Sequence, residues 1–219
     1  MKGCFHMKVL VAGANGTTGR QIVSLLAKEE NHTALAMIRK EEQIEDIKKA
    51  GGEPVLADLE GNLDQAVQGV SAVIFAAGSG PKTGPDKTTA VDRDGAISLI
   101  DAAKKAGVKR FVMLSAIGSD TPEQGPEGMQ HYFKAKLDAD EHLKQSGLTY
   151  TIVRPGALTN EEGTGKIIAQ NKLEDPKGKI SRADVAQVIV SSLEDEKTYN
   201  QTFEILNGNV PIKEAISEL

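Results

Sequence analysis

The stretch KVLVAGANGTTGRQIVSLL, residues 8–26, decides the fold. Its apolar run VLVA predicts a buried strand, and the apolar spacing within 17–28 predicts an amphipathic helix. Between strand and helix, Gly13, Gly16 and Gly19 follow one another at three-residue intervals. At such a junction the first glycine permits a tight turn, the second lets the backbone approach a pyrophosphate, and the third lets the helix pack closely. The order of strand, glycine loop and helix therefore predicts a dinucleotide-binding site rather than a turn without a ligand.

The chain up to about residue 156 repeats this alternation of strand and helix. Further strands are predicted at 33–38, 54–57, 71–77, 110–115 and 148–153, with helices at about 40–50, 62–68, 88–106 and 129–147. Apolar strands that alternate with amphipathic helices are typical of a doubly wound α/β (Rossmann) fold, a parallel sheet with helices on both faces.

The residues after about 156 are less regular. Their pattern predicts a glycine-rich loop, a helix near 182–193, a strand near 202–206 and a helix near 211–218. We predict a single NAD(P)-binding domain spanning 7–219, in which 156–219 contribute a small substrate-side region. Residues 1–6 are predicted to be an N-terminal extension.

Composition and charge argue against several classes of protein. The net charge of -5 argues against a nucleic-acid binder, because phosphate contacts require clustered Lys and Arg. No apolar run approaches the length of a membrane span, and the first residues lack the apolar stretch of a signal peptide. Cys4 is the only cysteine, which excludes an internal disulfide and fits a reducing compartment. We therefore expect a cytoplasmic protein without a membrane partner, and the scattered histidines predict no metal site.

The residues that end the second and third strands predict which dinucleotide binds. An NAD site usually carries an acid about 20 residues beyond the glycines, whereas an NADP site prefers a cation for the 2′-phosphate. Here the second strand ends in Arg39 and Lys40, which favours NADP(H) with Arg39 on the phosphate. The alternative is a surface arginine and an NAD(H) site. Asp58 is placed to accept a hydrogen bond from the adenine amino group, and the small residues at 76–78 suit close passage of the cofactor.

A tyrosine and a lysine four residues apart, Tyr132 and Lys136, share one face of a predicted helix. A phenol is a poor acid–base catalyst near neutral pH unless a nearby cation favours its phenolate. The pair is therefore either a proton-donating pair in a reductase or a chance pair on a solvated helix, and the spacing alone does not decide.

Eight motifs, in order along the chain, resemble those of the short-chain dehydrogenase/reductase superfamily: GANGTTG, MIRK, ADL, IFAAG, DAAKKAGVKRFVMLS, YFKAK, IVRPGAL and ISRADVA. The chain is most similar to small bacterial NAD(P)-binding oxidoreductases related to biliverdin reductase B, flavin reductase and the NmrA-like proteins. The resemblance implies that Tyr132 donates a proton to a substrate carbonyl, that Lys136 binds the nicotinamide ribose and lowers the tyrosine pKa, and that Ser115 orients the substrate oxygen. The chain departs from the family where Asp92 precedes Gly95 in place of the usual Asn-x-x-Gly.

The residues and the resemblance together predict the cofactor contacts. These are Gly13, Asn15, Gly16, Thr17, Thr18, Gly19, Arg39, Asp58, Leu59, Ala76, Ala77, Gly78, Lys136, Pro155, Gly156, Ala157 and Leu158. In ISRADVA, Ser181 as a helix N-cap and Asp184 as the third helical residue predict a variant of the capping box. Arg182 in the same motif is an alternative cation beside the cofactor or the substrate.

Three functions fit these residues. The first is an NADP(H)-dependent oxidoreductase that reduces a small or planar acceptor (a quinone, a flavin or a reactive carbonyl), as a monomer or homodimer. The second is a non-catalytic NADP(H)-binding redox sensor of NmrA-like type, against which Tyr132 argues. The third is a sugar-nucleotide epimerase or dehydratase, which is disfavoured because residues 157–219 are too few to enclose a nucleotide sugar.

Overall fold

The computed structural model describes residues 6–80 and 83–219, so Cys4 and most of the predicted extension 1–6 lie outside the described residues. In chain order the strands are β1 (Met7–Ala12), β2 (His32–Ile38), β3 (Glu53–Leu56), β4 (Ala72–Phe75), β5 (Arg110–Leu114), β6 (Thr149–Pro155), β7 (Ala157–Thr159), β8 (Lys166–Gln170), β9 (Lys179–Ser181), β10 (Gln201–Asn207) and β11 (Val210–Pro211). The α-helices are α1 (Thr17–Leu26), α2 (Ile44–Lys49), α3 (Pro85–Lys87), α4 (Ala96–Lys105), α5 (Glu127–Gln145), α6 (Arg182–Ser191) and α7 (Ile212–Ser217).

Nine of these strands form one sheet in the order β11-β8-β10-β6-β5-β4-β1-β2-β3. Every pairing from β10 to β3 is parallel, and β8 and β11 are added at one edge by antiparallel pairings. The chain begins in the interior of the sheet at β1, runs outward through β2 and β3, and then returns to β4 on the other side of β1. The predicted doubly wound sheet is therefore confirmed. Its strand order reverses between β1 and β4, which is where ligands bind in such folds.

Helices cover both faces of the sheet, because successive side chains of a strand point to opposite faces. Val9 and Val11 belong to one apolar cluster, which also contains residues of α1, α6 and α7. Leu10 and Ala12 belong to the other cluster, with residues of α4 and α5. The continuous apolar run of β1 is thus explained by burial on both sides.

One predicted helix, near 62–68, is wrong, because these residues form successive turns. Asn62 accepts a hydrogen bond from the backbone N–H of Asp64, a local turn that competes with the helical hydrogen-bond pattern. Leu63 and Val67 are nonetheless buried. Their apolar spacing therefore reflects how the turns pack against the sheet rather than a helix.

The last third of the chain is more regular than its sequence predicts. β10 extends the parallel sheet beside β6, β8 and β11 continue it, and β7 pairs with β9. The four strands that the pattern missed are only two to five residues long, too short for a visible alternation. Of the predicted capping box, the N-cap is confirmed, since the Ser181 side chain accepts a hydrogen bond from the backbone N–H of Asp184 at the start of α6 (3.0 Å). The Asp184 carboxylate accepts from the Ser181 hydroxyl (2.9 Å) instead of completing the box at the Ser181 backbone.

The helical segment between β4 and β5 contains a stretch of π-helix, Thr88–Gly95, between α3 and α4. A π-helical turn widens the hydrogen-bonding ring and is frequent at functional sites. Within it, Asp92 is completely buried. Gly95 lies so close to Leu59 that an added Cβ would stand 2.9 Å from the leucine Cβ. The π-helix thus places a carboxylate inside the fold, next to the loops that follow β3 and β4.

Candidate functional site

A cavity of about 470 Å³ lies over the carboxyl ends of the central strands, where the strand order reverses. It is bordered by the glycine loop after β1, the end of β2 and the segments that follow β3 and β4. Of the predicted cofactor residues, Gly13, Asn15, Gly16, Arg39, Asp58, Leu59, Ala76, Ala77 and Gly78 line it. Sequence reasoning missed the lining residues Met37, Ile38, Gln43, Ser79, Thr83, Lys87 and Val91. Met37 and Ile38 belong to the MIRK motif and Ser79 directly follows IFAAG, which is the signal that could have found these three.

Other predicted cofactor residues lie beside this cavity rather than in its wall. Residues 17–19 form the first turn of α1, directly behind the glycine loop. Residues 155–158 end β6 and begin β7, further along the same edge of the sheet. There the carbonyl of Leu158 accepts a hydrogen bond from Arg182 Nη1 (3.2 Å), which also donates to Asn160 (2.9 Å). Arg182 therefore holds β7 against the start of α6.

The glycine loop has the geometry that a pyrophosphate requires. Gly13 has a φ of +81°, and a Cβ there would lie 2.6 Å from the backbone of Ala77. A Cβ at Gly19 would overlap the carbonyl of Gly13, so the close packing predicted for the helix is confirmed. Gly16 is the N-cap of α1, and no side chain caps this helix. The backbone N–H groups of its first turn are therefore free to bind an anion, and the cradle fits a dinucleotide phosphate.

The end of β2 presents a cation to the cavity. Arg39 lines the cavity, whereas the neighbouring Lys40 does not and is paired with Glu42 (3.3 Å). Gln43 Oε1 accepts hydrogen bonds from the backbone N–H groups of Arg39 (3.1 Å) and Lys40 (3.4 Å). Gln43 thus fixes the backbone that carries Arg39 at the position where a dinucleotide's 2′ substituent is recognised.

Tyr132 and Lys136 lie one turn apart on α5, with Lys136 Nζ 5.8 Å from the centre of the Tyr132 ring. Lys136 is buried, and its ammonium donates a hydrogen bond to the carbonyl of Leu114 at the end of β5 (3.3 Å). The same ammonium lies 3.2 Å from Asp92 Oδ1. Asp92 Oδ2 in turn accepts a hydrogen bond from the backbone N–H of Ser79, a cavity residue (2.9 Å). The pair is therefore linked to the cofactor cavity through Asp92.

The surroundings of this pair keep the phenol protonated. Burial raises the pKa of Tyr132 above its ordinary 10.0, and the charge of Lys136, which lowers this pKa, is outweighed; Asp92 and Asp140 raise it further. Burial by itself lowers the pKa of Lys136, but Tyr132 and Asp92 offset this, and the net pKa is raised above 10.5. The resemblance implies a lysine that lowers the tyrosine pKa. Lys136 acts in that direction without prevailing, so Tyr132 remains protonated at neutral pH.

Ser115, just after β5, is buried and donates its hydroxyl proton to Asp140 Oδ2 (2.8 Å). Ser119 Oγ lies 3.3 Å from Ser115 Oγ but donates to the carbonyl of Ala116 (2.8 Å). With this proton engaged, Ser115 can only accept a hydrogen bond from a bound molecule. Donation to a substrate oxygen would require the bond to Asp140 to break.

Asp140 begins a chain of charges that sequence reasoning missed. Arg154 Nη2 donates to Asp140 Oδ2 (2.9 Å), and Arg154 Nη1 lies 3.9 Å from Asp120 Oδ1. Lys172 then bridges Asp120 (2.6 Å) and the buried Glu204 (2.9 Å). These residues come from α5, β6, β10 and two loops that are distant in sequence. No local pattern marks them, so only the fold brings them together.

Metal-binding clusters and membrane-spanning helices are both absent from the described residues. No three His, Cys, Asp or Glu side chains among them lie close enough together to hold a metal ion. In the segments 6–80 and 83–219, no helix combines the length and the apolar character that crossing a membrane requires.

The doubly wound sheet, the glycine loop and the cavity at the reversal of strand order define an NAD(P)-binding Rossmann-type protein. A family model described as NAD(P)H-binding matches residues 13–196, and the chain belongs to this family of NAD(P)H-binding oxidoreductases. This match confirms the predicted cofactor class, NAD(P)H. It also confirms the resemblance to NAD(P)-binding proteins of the short-chain dehydrogenase/reductase type.

Three similar proteins have informative names. Bacillus subtilis YhfK, named an uncharacterized sugar epimerase, is 48% identical over 216 residues, which cover 97% of this chain and 100% of that protein. A solved structure from Bacillus halodurans, provisionally described as an NAD-dependent epimerase/dehydratase, shares 46% identity at a TM-score of 0.94 and covers 97% of this chain and 100% of that chain. The oxidoreductase ylbE from Lactococcus lactis shares 32% identity at a TM-score of 0.86, with 97% and 96% covered. These relatives share the fold, but their names give two different activities.

Proposed function

We propose that the protein is an NADP(H)-preferring reductase of a small, flat acceptor such as a quinone, a flavin or a reactive carbonyl. The observation that carries this proposal is the buried Lys136 beside Tyr132, joined through Asp92 to the cavity residue Ser79. A protonated phenol beside a buried lysine that is itself linked to the cofactor cavity suits a proton donor to a bound acceptor. Arg39 in the cavity wall, with no acid at the end of β2, supports the preference for NADP(H) over NAD(H).

In this proposal the cofactor supplies the hydride when it is bound, and the protein supplies placement and a proton. The glycine loop and the first turn of α1 bind the pyrophosphate, and Asp58 accepts a hydrogen bond from the adenine. Lys136, held by Asp92 and the carbonyl of Leu114, donates a hydrogen bond to the nicotinamide ribose. Tyr132 donates its proton to the oxygen of the acceptor as negative charge develops there.

A sugar-nucleotide epimerase is the second candidate, because one relative is named a sugar epimerase and another is described as an NAD-dependent epimerase/dehydratase. The position of the last third of the chain disfavours it. β8, β10 and β11 all belong to the main sheet and α6 and α7 pack against one face of it, so among the described residues β7, β9 and loops remain to cover a substrate. A flat acceptor needs little covering, whereas a nucleotide sugar needs a second binding lobe.

The test is oxidation of NADPH, followed by absorbance, against a panel of quinones, flavins, tetrapyrroles and aldehydes. On the best carbonyl or quinone acceptor, Tyr132→Phe is expected to lower kcat by about 100-fold or more, the usual contribution of a positioned acid. Tyr150→Phe, on β6, removes a phenol elsewhere on the protein and is expected to leave kcat unchanged. Binding of NADPH without turnover of any acceptor would favour the redox-sensor function instead. Conversion of a nucleotide sugar without net oxidation of the cofactor would favour the epimerase.

A further inference from the structure

The buried cations Lys136 and Arg154 are each paired with a carboxylate. Lys136 Nζ lies 3.2 Å from Asp92 Oδ1, and both side chains are buried. Arg154 Nη2 lies 2.9 Å from Asp140 Oδ2, again with both side chains buried. A single lysine beside the phenol would make the surroundings positive, but the carboxylates cancel its charge and that of the arginine.

Further from Tyr132, carboxylates outnumber cations. Lys172 is shared between Asp120 and Glu204, so one ammonium serves two acids. The Oδ1 atoms of Asp92, Asp120 and Asp140 are all buried without an aligned hydrogen-bond donor. The neighbouring cations, rather than aligned donors at these atoms, balance the charge of the three carboxylates. In the charge chain, the carboxylates of Asp140, Asp120 and Glu204 face the cations of Arg154 and Lys172. The chain therefore has one more carboxylate than it has cations.

We propose that Asp92 makes the reaction centre select acceptors that carry no negative charge. This inference rests on the proposed function, which places the reacting oxygen of the acceptor against the Tyr132 hydroxyl. Tyr132 is influenced by one cation, Lys136, and by the carboxylates Asp92 and Asp140. An anionic substituent on the acceptor would approach these buried carboxylates, and like charges repel more strongly near buried groups than in bulk water. Without Asp92, Lys136 would attract the same substituent.

With a neutral quinone as the acceptor, the hydride, the proton and the charge are all accounted for at this site. A quinone takes a hydride from the reduced cofactor and a proton from the Tyr132 hydroxyl, and it leaves as a neutral hydroquinone. The cofactor is oxidised by the loss of the hydride, and Tyr132 regains its proton from solvent. No negative charge remains beside Asp92 at the end of the turnover.

The experiment uses three 1,4-naphthoquinones as acceptors: the unsubstituted compound, its 2-sulfonate and a derivative with a quaternary ammonium substituent. Rates of NADPH oxidation are measured for the wild type, for Asp92→Asn and for a control, Asp101→Asn, which removes an exposed carboxylate on α4. For the wild type, kcat/KM is expected to be at least about 10-fold lower for the sulfonate than for the other two, a discrimination typical of like-charge repulsion in a partly desolvated site. The substituents also change the reduction potential of the quinone. The ratio of kcat/KM for the sulfonate to kcat/KM for the unsubstituted compound is therefore compared between variants, because that effect is the same for every variant.

Asp92→Asn is expected to raise the sulfonate-to-unsubstituted ratio of kcat/KM at least about fivefold, and Asp101→Asn to leave it unchanged. If Asp92 were only structural, its replacement would slow all three acceptors equally, and that result would overturn the inference. Equal or faster turnover of the sulfonate by the wild type would also overturn it, even if Asp92→Asn failed to fold. In both cases the proposed reductase function would stand. Binding of NADPH without turnover of any of the three quinones or of any other acceptor would overturn both.

Discussion

Arg39 and Lys40 carry the same charge at adjacent positions, but only Arg39 lines the cavity. If Arg39 binds the 2′-phosphate, Arg39→Ala should raise the Kd of NADPH by about 10- to 100-fold, the loss of a charge-assisted hydrogen bond. The Kd of NADH, which lacks the phosphate, should change by less than about threefold. Fluorescence titration of both cofactors measures these constants.

Lys40→Ala is the matched control, because Lys40 is exposed and paired with Glu42. It should leave both dissociation constants close to those of the wild type. A wild type that binds NADPH and NADH equally, or an Arg39→Ala that weakens both alike, would remove the basis for the NADP(H) preference.

Gly13 combines a φ of +81° with backbone contact to the strand-end residue Ala77. Gly13→Ala should therefore lower the free energy of unfolding by at least about 2 kcal/mol, from the strained backbone and the overlap together. Gly128→Ala is the control, since Gly128 lies in α5 with open space where a Cβ would be. It should raise the free energy of unfolding by about 0.5 kcal/mol. Urea unfolding of the two variants gives both values, and similar effects would contradict this account of the loop.

The contrast between these glycines and Asp92 shows what the sequence reveals at a single residue. The role of Gly13 follows from its spacing and its place after an apolar strand, because the constraint is local. Asp92 was visible only as a departure from Asn-x-x-Gly. Asp92 lies in a π-helix, and its partner Lys136 lies in α5, about 40 residues later in the chain. Rules based on sequence spacing apply within one element, so they could not predict this contact.

At the scale of the element, α6 begins with a cap that also holds a loop. Asp184 accepts hydrogen bonds from the Ser181 hydroxyl (2.9 Å) and from the backbone N–H groups of Thr164 (3.0 Å) and Gly165 (2.8 Å). Because Asp184 is buried, Asp184→Ala should cost about 2–4 kcal/mol of unfolding free energy, since several donors lose a charged acceptor. Urea unfolding measures this loss.

Asp195→Ala serves as the comparison for Asp184→Ala. The Asp195 side chain accepts one backbone N–H at the start of a short 3₁₀ turn, in a half-buried position. Its loss should cost no more than about 1 kcal/mol, an ordinary cap effect. Equal costs for the two aspartates would mean that Asp184 contributes no more than an ordinary helix-start hydrogen bond and does not tie α6 to the loop.

The elements that the sequence predicted correctly are those with long, regular patterns. The helix that contains Tyr132 and the apolar strands of the central sheet could be predicted because burial on fixed faces imposes a period on the sequence. The segment 62–68 has helical spacing but forms turns, because the Asn62 side chain closes a local hydrogen bond. Short strands such as β7 and β9 form because they pair with each other. The partner of each is distant in sequence, so the local sequence pattern does not reveal either strand.

At the scale of the whole molecule, the sheet topology followed from the alternation of strands and helices, but the way the last third attaches did not. β10 lies beside β6, and Glu204 on β10 meets Lys172 in the loop after β8. The same lysine reaches Asp120 in the loop after β5. These contacts join parts of the chain that only the completed sheet brings together, which is why the charge chain could not be predicted.

Lys172 is thus expected to hold the last third of the chain to the central sheet in a pH-dependent manner. The pKa of Asp120 is lowered from 3.8: the ion pair with Lys172 outweighs the effect of burial. A lowered acid pKa adds stability that is present above the unfolded pKa and is lost as pH falls through the folded pKa. Lys172→Met should therefore cost about 1–2 kcal/mol of unfolding free energy near pH 7, since the lysine is exposed but Glu204 is buried.

The pH dependence of the stability lost in Lys172→Met distinguishes the ion pairs of Lys172 from an ordinary surface ion pair. The difference in unfolding free energy between the wild type and Lys172→Met should be constant from about pH 5 to 9 and should shrink below the unfolded pKa of Asp120, near 3.8. The pKa of Lys172 is itself raised above 10.5, as the hydrogen bonds to Asp120 and Glu204 outweigh burial, so no loss is expected on the alkaline side before that value. Lys105→Met, which breaks an exposed pair with Asp64, should cost less than about 1 kcal/mol. A Lys172→Met cost as small as that of Lys105→Met, or one that does not change between pH 7 and pH 3, would show that the last third is held by its apolar contacts and strand pairings alone.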